Sequence, residues 1–450
     1  MKKLLIAVLL FAFSITPQSA KASPSSNLLS LDDCRKYGNN STESVTRFED
    51  GGHIQDWSNF LKPQGKIRTL IIPIDFTDAP HQTTLESIKV FGDQVDEEFT
   101  ELSNSKLDLE ITVATEWFRM PQEGKFYLAA NWTQKINDAL DVSNPRIDFS
   151  KFDLILIKVD EKNSPIDSAG ALPMWKEHLH DGVNVVRGAF LGNDYWTRNG
   201  QGVQVAVHEI THVFGLPDLY QQNSDGLFPV GIFDLMSTFR PYFGLNLLGW
   251  NKWKLGWLDE SNLKCVAPTS PELLFFPKVS GKSSPVFIPL QEKVLGIELW
   301  SDSKYSDKNY VLIYEVSPKT FVWASNKASG KVSPIQLIKP ISTKTQNEVA
   351  PELNLAAMFN VGDFVEEYGL TFRFLGSRPD GSYVSVTPNG LKELEIPNQQ
   401  ILTEKNPKDE VVTQTKGLPR KTTLICYKGK FTKKVSAVKP KCPAGYKVKK

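Results

Sequence analysis

Beyond its first two dozen positions the chain has no run approaching the roughly 18 consecutive apolar residues that a membrane-spanning helix needs. A transmembrane protein is therefore not expected. The imbalance of a disordered chain is missing too. Of its 450 residues 40% are hydrophobic and 23% charged, as in soluble globular proteins. No internal repeat stands out, and the length exceeds what one ordinary core holds, so two or three domains are expected. Histidine is scarce, with 6 in the chain and none after His212.

Residues 1–22 read as an export signal. Lys2-Lys3 form a positive start, Leu4 to Phe13 an apolar run, and Ala20-Lys21-Ala22 a small-residue cleavage site. No Cys follows the run, so a lipoprotein anchor is not indicated. The mature chain is expected to begin near Ser23, as a secreted or envelope-associated protein of bacterial type.

Only four cysteines are present: Cys34, Cys265, Cys426 and Cys442. An even count in an oxidising compartment suggests two disulfides, and three connectivities are open. Cys426 with Cys442 would close a short C-terminal loop and leave Cys34 for Cys265. A rival idea makes Cys34 a thiolate that caps a metal in a latent form.

Acidic residues are absent from residues 416–450, which hold 12 Lys or Arg. The precursor's net charge is +1, and losing Lys2, Lys3 and Lys21 takes it to −2. Subtracting the tail's 12 positive charges leaves residues 23–415 at −14. Such a tail suits an anionic cell-envelope polymer, or else is simply solvated. Nucleic acid is not an expected partner of an exported chain.

Residues 23–65 are polar and turn-rich and read as an N-terminal extension. From residue 66 the pattern changes. Ile67 to Phe76 is a β-branched strand, Leu85 to Leu102 has helical spacing, and Leu107 to Phe118 alternates as a half-exposed strand. Phe152 to Val159 (FDLILIKV) reads as a short, mostly apolar strand, as in a sheet covered on both faces. These elements, followed by a helix at 203–214, predict an α+β domain over residues 66–264. Val286 to Leu290, Val294 to Trp300, Tyr310 to Val316, Leu370 to Phe374 and Tyr383 to Val386 are short strands between turn residues. They predict a β-sandwich domain over 265–395. A linker is expected at 396–420 and a short basic, disulfide-containing tail at 421–450.

The chemistry concentrates in residues 203–214 (VQVAVHEITHVF), apolar nearly all the way round and so a buried helix. His208 and His212 are four apart and lie on one face, so both imidazoles can reach one ion. Glu209 sits one step round, displaced from the metal but placed to take a proton from a water that the metal polarises. Two His and a carboxylate inside an apolar helix are costly unless something pairs them, and a metal does. Past the helix, Gly215 suits a C-terminal turn with positive φ and Pro217 stops the helix resuming. The chain can then present Asp218 as third ligand. The alternatives are the helix-borne acid Glu260, or an imidazole from His53, His81, His178 or His180.

Together these residues read H-E-x-x-H-x-x-G-x-x-D, with Met236 following in Phe233-Asp234-Leu235-Met236-Ser237. That combination resembles the metzincins, which join an extended helix motif to a methionine-bearing turn. More closely, HEITHVFGLPDLY and FDLMS resemble the immune inhibitor A family of bacterial secreted metallopeptidases. Leu248 to Lys252, Leu255 to Leu258, Leu70 to Phe76 and Ser105 to Phe118 carry the similarity across residues 66–260. Tyr310 to Val316 hints at that family's β-rich following part. Thr211 stands where the family usually has Gly, and Gln221 where it often has an acid. The resemblance implies a zincin-like catalytic fold, zinc, and Met236 as a floor beneath the metal. Calcium is carried as a second candidate metal, although no ligand loop stands out. Tyr242 is a candidate transition-state donor. The expected function is zinc endopeptidase hydrolysis of protein or peptide substrates. The rival is a non-catalytic envelope-binding protein with a structural metal site.

Overall fold

The computed structural model describes residues 27–38, 50–160, 162–163, 166, 169–172, 179–180, 182–185, 187–192, 201–220, 228–238, 245–277, 284–300, 309–320, 333–341, 354–379, 381–396, 422–428, 431–437, 441–442 and 447–448. Residues 1–22, His178, Tyr242 and nearly all of the expected linker lie outside them. The protein mixes helices with several sheets, compatible with an α+β class. It divides into two compact units, residues 1–401 and 402–450.

The sheet that positions the site runs in the order Leu107–Val113, Gly65–Asp75, Leu154–Val159, Gly188–Leu191, Ala169–Leu172. The first four strands are parallel and the last pairs antiparallel. Phe118–Arg119 pairs with the end of Gly65–Asp75. Period-2 alternation explains the mostly apolar runs. Ile67, Ile71, Leu154 and Leu156 feed one core cluster, while Leu70, Ile72, Ile155 and Ile157 feed another. The first face is covered by Leu85–Leu102 and by Gly202–Val213, the motif helix. The other is covered by Trp132–Ser143, whose Asn131 side chain accepts from the amide of Gln134 as an N-cap.

The β-rich remainder has a six-stranded sheet, which includes Val286–Pro289, Val294–Trp300 and Tyr310–Val316, and a four-stranded one. Both contribute to a single apolar cluster. Its first sheet also feeds the cluster of the motif helix through Phe287, Tyr314 and Val316. The two halves meet at the short helix Gly249–Lys254. There the Glu298 carboxylate accepts from the Gly249 amide at 3.0 Å, and the Tyr314 hydroxyl accepts from the Trp250 amide at 3.2 Å. Trp250 and Trp257 are fully buried in this joint; truncating such a ring costs roughly 3–5 kcal/mol.

The residues expected as an N-terminal extension are woven into this joint. Leu28–Leu29 pairs with Lys264–Val266 on the six-stranded sheet. Cys34 and Cys265 form a disulfide, with S–S 2.08 Å, which excludes Cys34 as a latency thiolate. Trp250 Nε1, Lys254 Nζ and Trp257 Nε1 donate to the carbonyls of Gly51, Asp50 and Pro63 at 2.6, 2.7 and 2.8 Å. His53 packs edge-on against Trp250 and Trp253. Burial holds its imidazole well below the ordinary value, with Lys254 and Arg35 adding to the effect.

In the second unit, Thr422–Lys428 pairs antiparallel with Phe431–Ala437 and with Lys447–Val448. The basic tail thus includes a three-stranded sheet. Cys442 is disulfide-bonded; the side chain of Cys426, its expected partner, lies outside the described residues.

Candidate metal centre

The helix Gly202–Val213 buries every residue from Val205 to Val213 except Glu209, which is half-exposed. Burial suits the apolar positions and demands partners for the polar ones. The Thr211 hydroxyl donates to the Val207 carbonyl at 2.6 Å, so this hydroxyl is satisfied within the helix. His208 Nδ1 donates to the carbonyl of Leu235 at 3.1 Å, and His212 Nδ1 to that of Leu216 at 2.7 Å. With both Nδ1 atoms donating, each neutral ring turns the lone pair of Nε2 the other way. His208 and His212 are only 8% and 6% exposed.

The helix ends in a Schellman turn. Gly215 N–H donates to the His212 carbonyl at 2.8 Å and Leu216 N–H to that of Thr211 at 3.3 Å. Gly215 has φ +95°, and a Cβ there would meet Ile54 Cδ1 at 2.6 Å. The positive φ anticipated from sequence is present, and the N-terminal segment packs directly on it. Leu61 N–H also donates to the Val213 carbonyl at 3.1 Å.

The chain then returns and places Asp218 Oδ1 3.2 Å from Nε2 of His208 and 3.2 Å from Nε2 of His212. The three ligand atoms lie within 4.8 Å of one another. Asp218 Oδ1 is buried with no hydrogen-bond donor. Two imidazole nitrogens and a carboxylate oxygen therefore converge in a buried place, where a cation or protons on the imidazoles would offset the burial of the carboxylate. Tetrahedral zinc with bonds of about 2.0–2.1 Å sets its ligands about 3.3–3.4 Å apart, and the two separations to Asp218 Oδ1 are close to that. The same convergence drives protonation. Burial opposes charge on His208, but the Asp218 carboxylate outweighs it, with Glu209 and Leu235 adding, and pushes His208 up to about 9. Burial likewise opposes charge on Asp218, and the two imidazoles hold it far below the usual carboxylate range.

Met236 is fully buried in the same apolar cluster. Its turn is tied to the ligand loop, since Leu219 N–H donates to the Met236 carbonyl at 2.7 Å. Asp234, buried and not singled out from sequence, accepts from the Met236 and Leu248 amides and from Asn251 Nδ2, each at 2.9 Å. Burial raises its carboxyl to about 6 against these donors. Tyr220, also unassigned from sequence, lies near-parallel to His208 with ring centroids 6.2 Å apart.

Of the alternative ligands, Glu260, His81 and His180 make contacts elsewhere, and His178 lies outside the described residues. Glu260 pairs with Arg35 and accepts from Trp253 Nε1. His81 Nδ1 donates to Asp75, and His180 lies 3.6 Å from Asp141. Among the described residues His208, His212 and Asp218 form the one group of three His, Cys, Asp or Glu side chains that could hold a metal. Compared with known protein families and with curated proteins, the chain matches no family model and no curated sequence.

Proposed function

We propose that this chain is a secreted zinc endopeptidase with a metzincin-like catalytic part, in which His208, His212 and Asp218 hold the metal and Glu209 is the general base. The reading is carried by one observation: Nε2 of His208, Nε2 of His212 and a buried carboxylate oxygen of Asp218 converge as a group that could hold a metal. Three protein ligands leave the fourth zinc position open, as a catalytic site requires, whereas closed structural sites use four. The resemblance of HEITHVFGLPDLY and FDLMS to the immune inhibitor A family supports the same reaction class. The Cys34–Cys265 disulfide suits an oxidising compartment.

Bound at this group, zinc would supply Lewis acidity toward a water and a peptide carbonyl. Glu209 is half-exposed beside His208, at the open side of the helix. It takes a proton from the attacking water onto a carboxylate oxygen. The water oxygen adds to the carbonyl carbon, the C–N bond breaks, and Glu209 returns the proton to the departing nitrogen. His208 and His212 hold their Nε2 lone pairs inward because the Leu235 and Leu216 carbonyls occupy their Nδ1 protons. The basic second unit is the part suited to an anionic envelope polymer. Zinc stoichiometry and casein zymography of wild type, Asp218→Ala and Glu260→Ala test the assignment. The expected result is zinc and activity lost in the first variant and kept in the second. The reverse result rejects the ligand set.

A further inference from the structure

The amide that joins Leu235 to Met236 faces two ways. Its carbonyl accepts the Nδ1 proton of His208 at 3.1 Å, and its N–H donates to Asp234 Oδ1 at 2.9 Å. Both contacts are buried, and Asp234 itself is 0% exposed. A carboxylate that grips the N–H of an amide fixes the plane of that amide and increases the negative charge on its carbonyl oxygen. The Asp234 carboxylate is in turn held by the Leu248 amide and by Asn251 Nδ2, at 2.9 Å each, from the joint between the two halves of the molecule. The Leu235 amide donates to the Asn246 carbonyl at 2.7 Å, so the turn is anchored at both ends.

We propose that Asp234 is a positioning residue for the metal centre, acting on His208 through the Leu235–Met236 amide as a carboxylate–amide–histidine relay. The relay fixes which ring nitrogen carries the proton, aims Nε2 at Asp218 and raises the ring's basicity toward a cation. Outer partners of a ligating histidine have this effect when the carboxylate touches the ring directly; here one peptide group stands between. The same turn reaches the other ligand, because the Met236 carbonyl accepts from Leu219, the residue after Asp218. The inference rests on the metal reading given above.

Its test is the zinc affinity of the whole protein, measured by competition with a chelator, beside the unfolding midpoint of the metal-free forms. Asp234→Asn keeps the shape but removes the charge and turns one acceptor into a donor. Zinc binding is expected to weaken by about 10- to 100-fold, the usual effect of losing an outer partner. Asp160→Asn is the comparison. That carboxylate is also buried and accepts from Thr83 Oγ1 at 2.6 Å and from the Gln82 amide at 2.8 Å. It should lower the midpoint while leaving zinc affinity within about threefold. If Asp234→Asn does not fold, Asp234→Glu carries the same measurement with the charge kept but displaced by one methylene. Equal zinc affinity in wild type and in the folded Asp234 variant overturns the relay and leaves the metal reading standing. A folded wild type that binds no zinc overturns both.

Discussion

His212 Nδ1 donates to the carbonyl of Leu216, four residues further on, at 2.7 Å. The turn that stops the motif helix thus also aims the second imidazole and leads the chain to Asp218. Gly215 is the residue that permits this turn. Gly215→Ala would force a side chain into a left-handed conformation and against Ile54. A loss of roughly 1–3 kcal/mol of stability is expected in urea unfolding, together with weaker zinc binding. A variant with unaltered stability would refute this account of the turn.

The N-terminal segment should behave as part of the fold around the motif helix. Ile54 and Phe60 back the Gly215 turn, and the Cys34–Cys265 bridge ties the segment to the β-rich half. Replacing both cysteines with Ser should cost about 2–5 kcal/mol and expose residues 27–64 to limited proteolysis. Unchanged protease resistance would show that the disulfide does not secure the segment.

Lys254 makes stability pH-dependent in a defined window. Burial lowers its ammonium to about 7, against an ordinary value of 10.5. Between those values the unfolded chain holds a proton that the folded chain does not, so this group's contribution to stability rises with pH. Below about 7 both states are charged and the burial cost is constant. Unfolding measured at intervals across this window should show a steeper rise in wild type than in Lys254→Met. Equal slopes would contradict it.

The 12 positive charges of residues 416–450 should hold the protein at an anionic surface in a salt-sensitive way. Deleting those residues should raise the fraction of protein in the medium at low ionic strength. An unchanged distribution would remove the envelope-polymer role.

What could be read from sequence follows from which forces act locally. The mostly apolar run Phe152 to Val159 announces the buried strand Leu154–Val159, and Val294–Trp300 and Tyr310–Val316 have the expected bounds. The i, i+4 histidines and the Gly-Pro turn specify their own geometry. Trp132–Ser143 escapes a periodicity reading because Ile136, Ala139 and Leu140 make only a narrow apolar stripe. Glu272–Pro277 does so because its run is short and ends in proline. Residues 50–64 look structureless because indole and ammonium donors from Trp250, Lys254 and Trp257 hold their carbonyls. Asp234 looks like an ordinary turn acid until the chain brings Leu248 and Asn251 back to it. Such tertiary donors leave no period in the sequence.

In the proposed function Glu209 does chemistry on a substrate while His208, His212 and Asp218 hold zinc. Its most direct test is hydrolysis rate and zinc content measured together in wild type and Glu209→Gln. About one equivalent of zinc is expected in both, with a rate lowered by about 10²-fold or more in the variant, the scale of general-base catalysis. Undiminished hydrolysis by a zinc-loaded Glu209→Gln protein would contradict it.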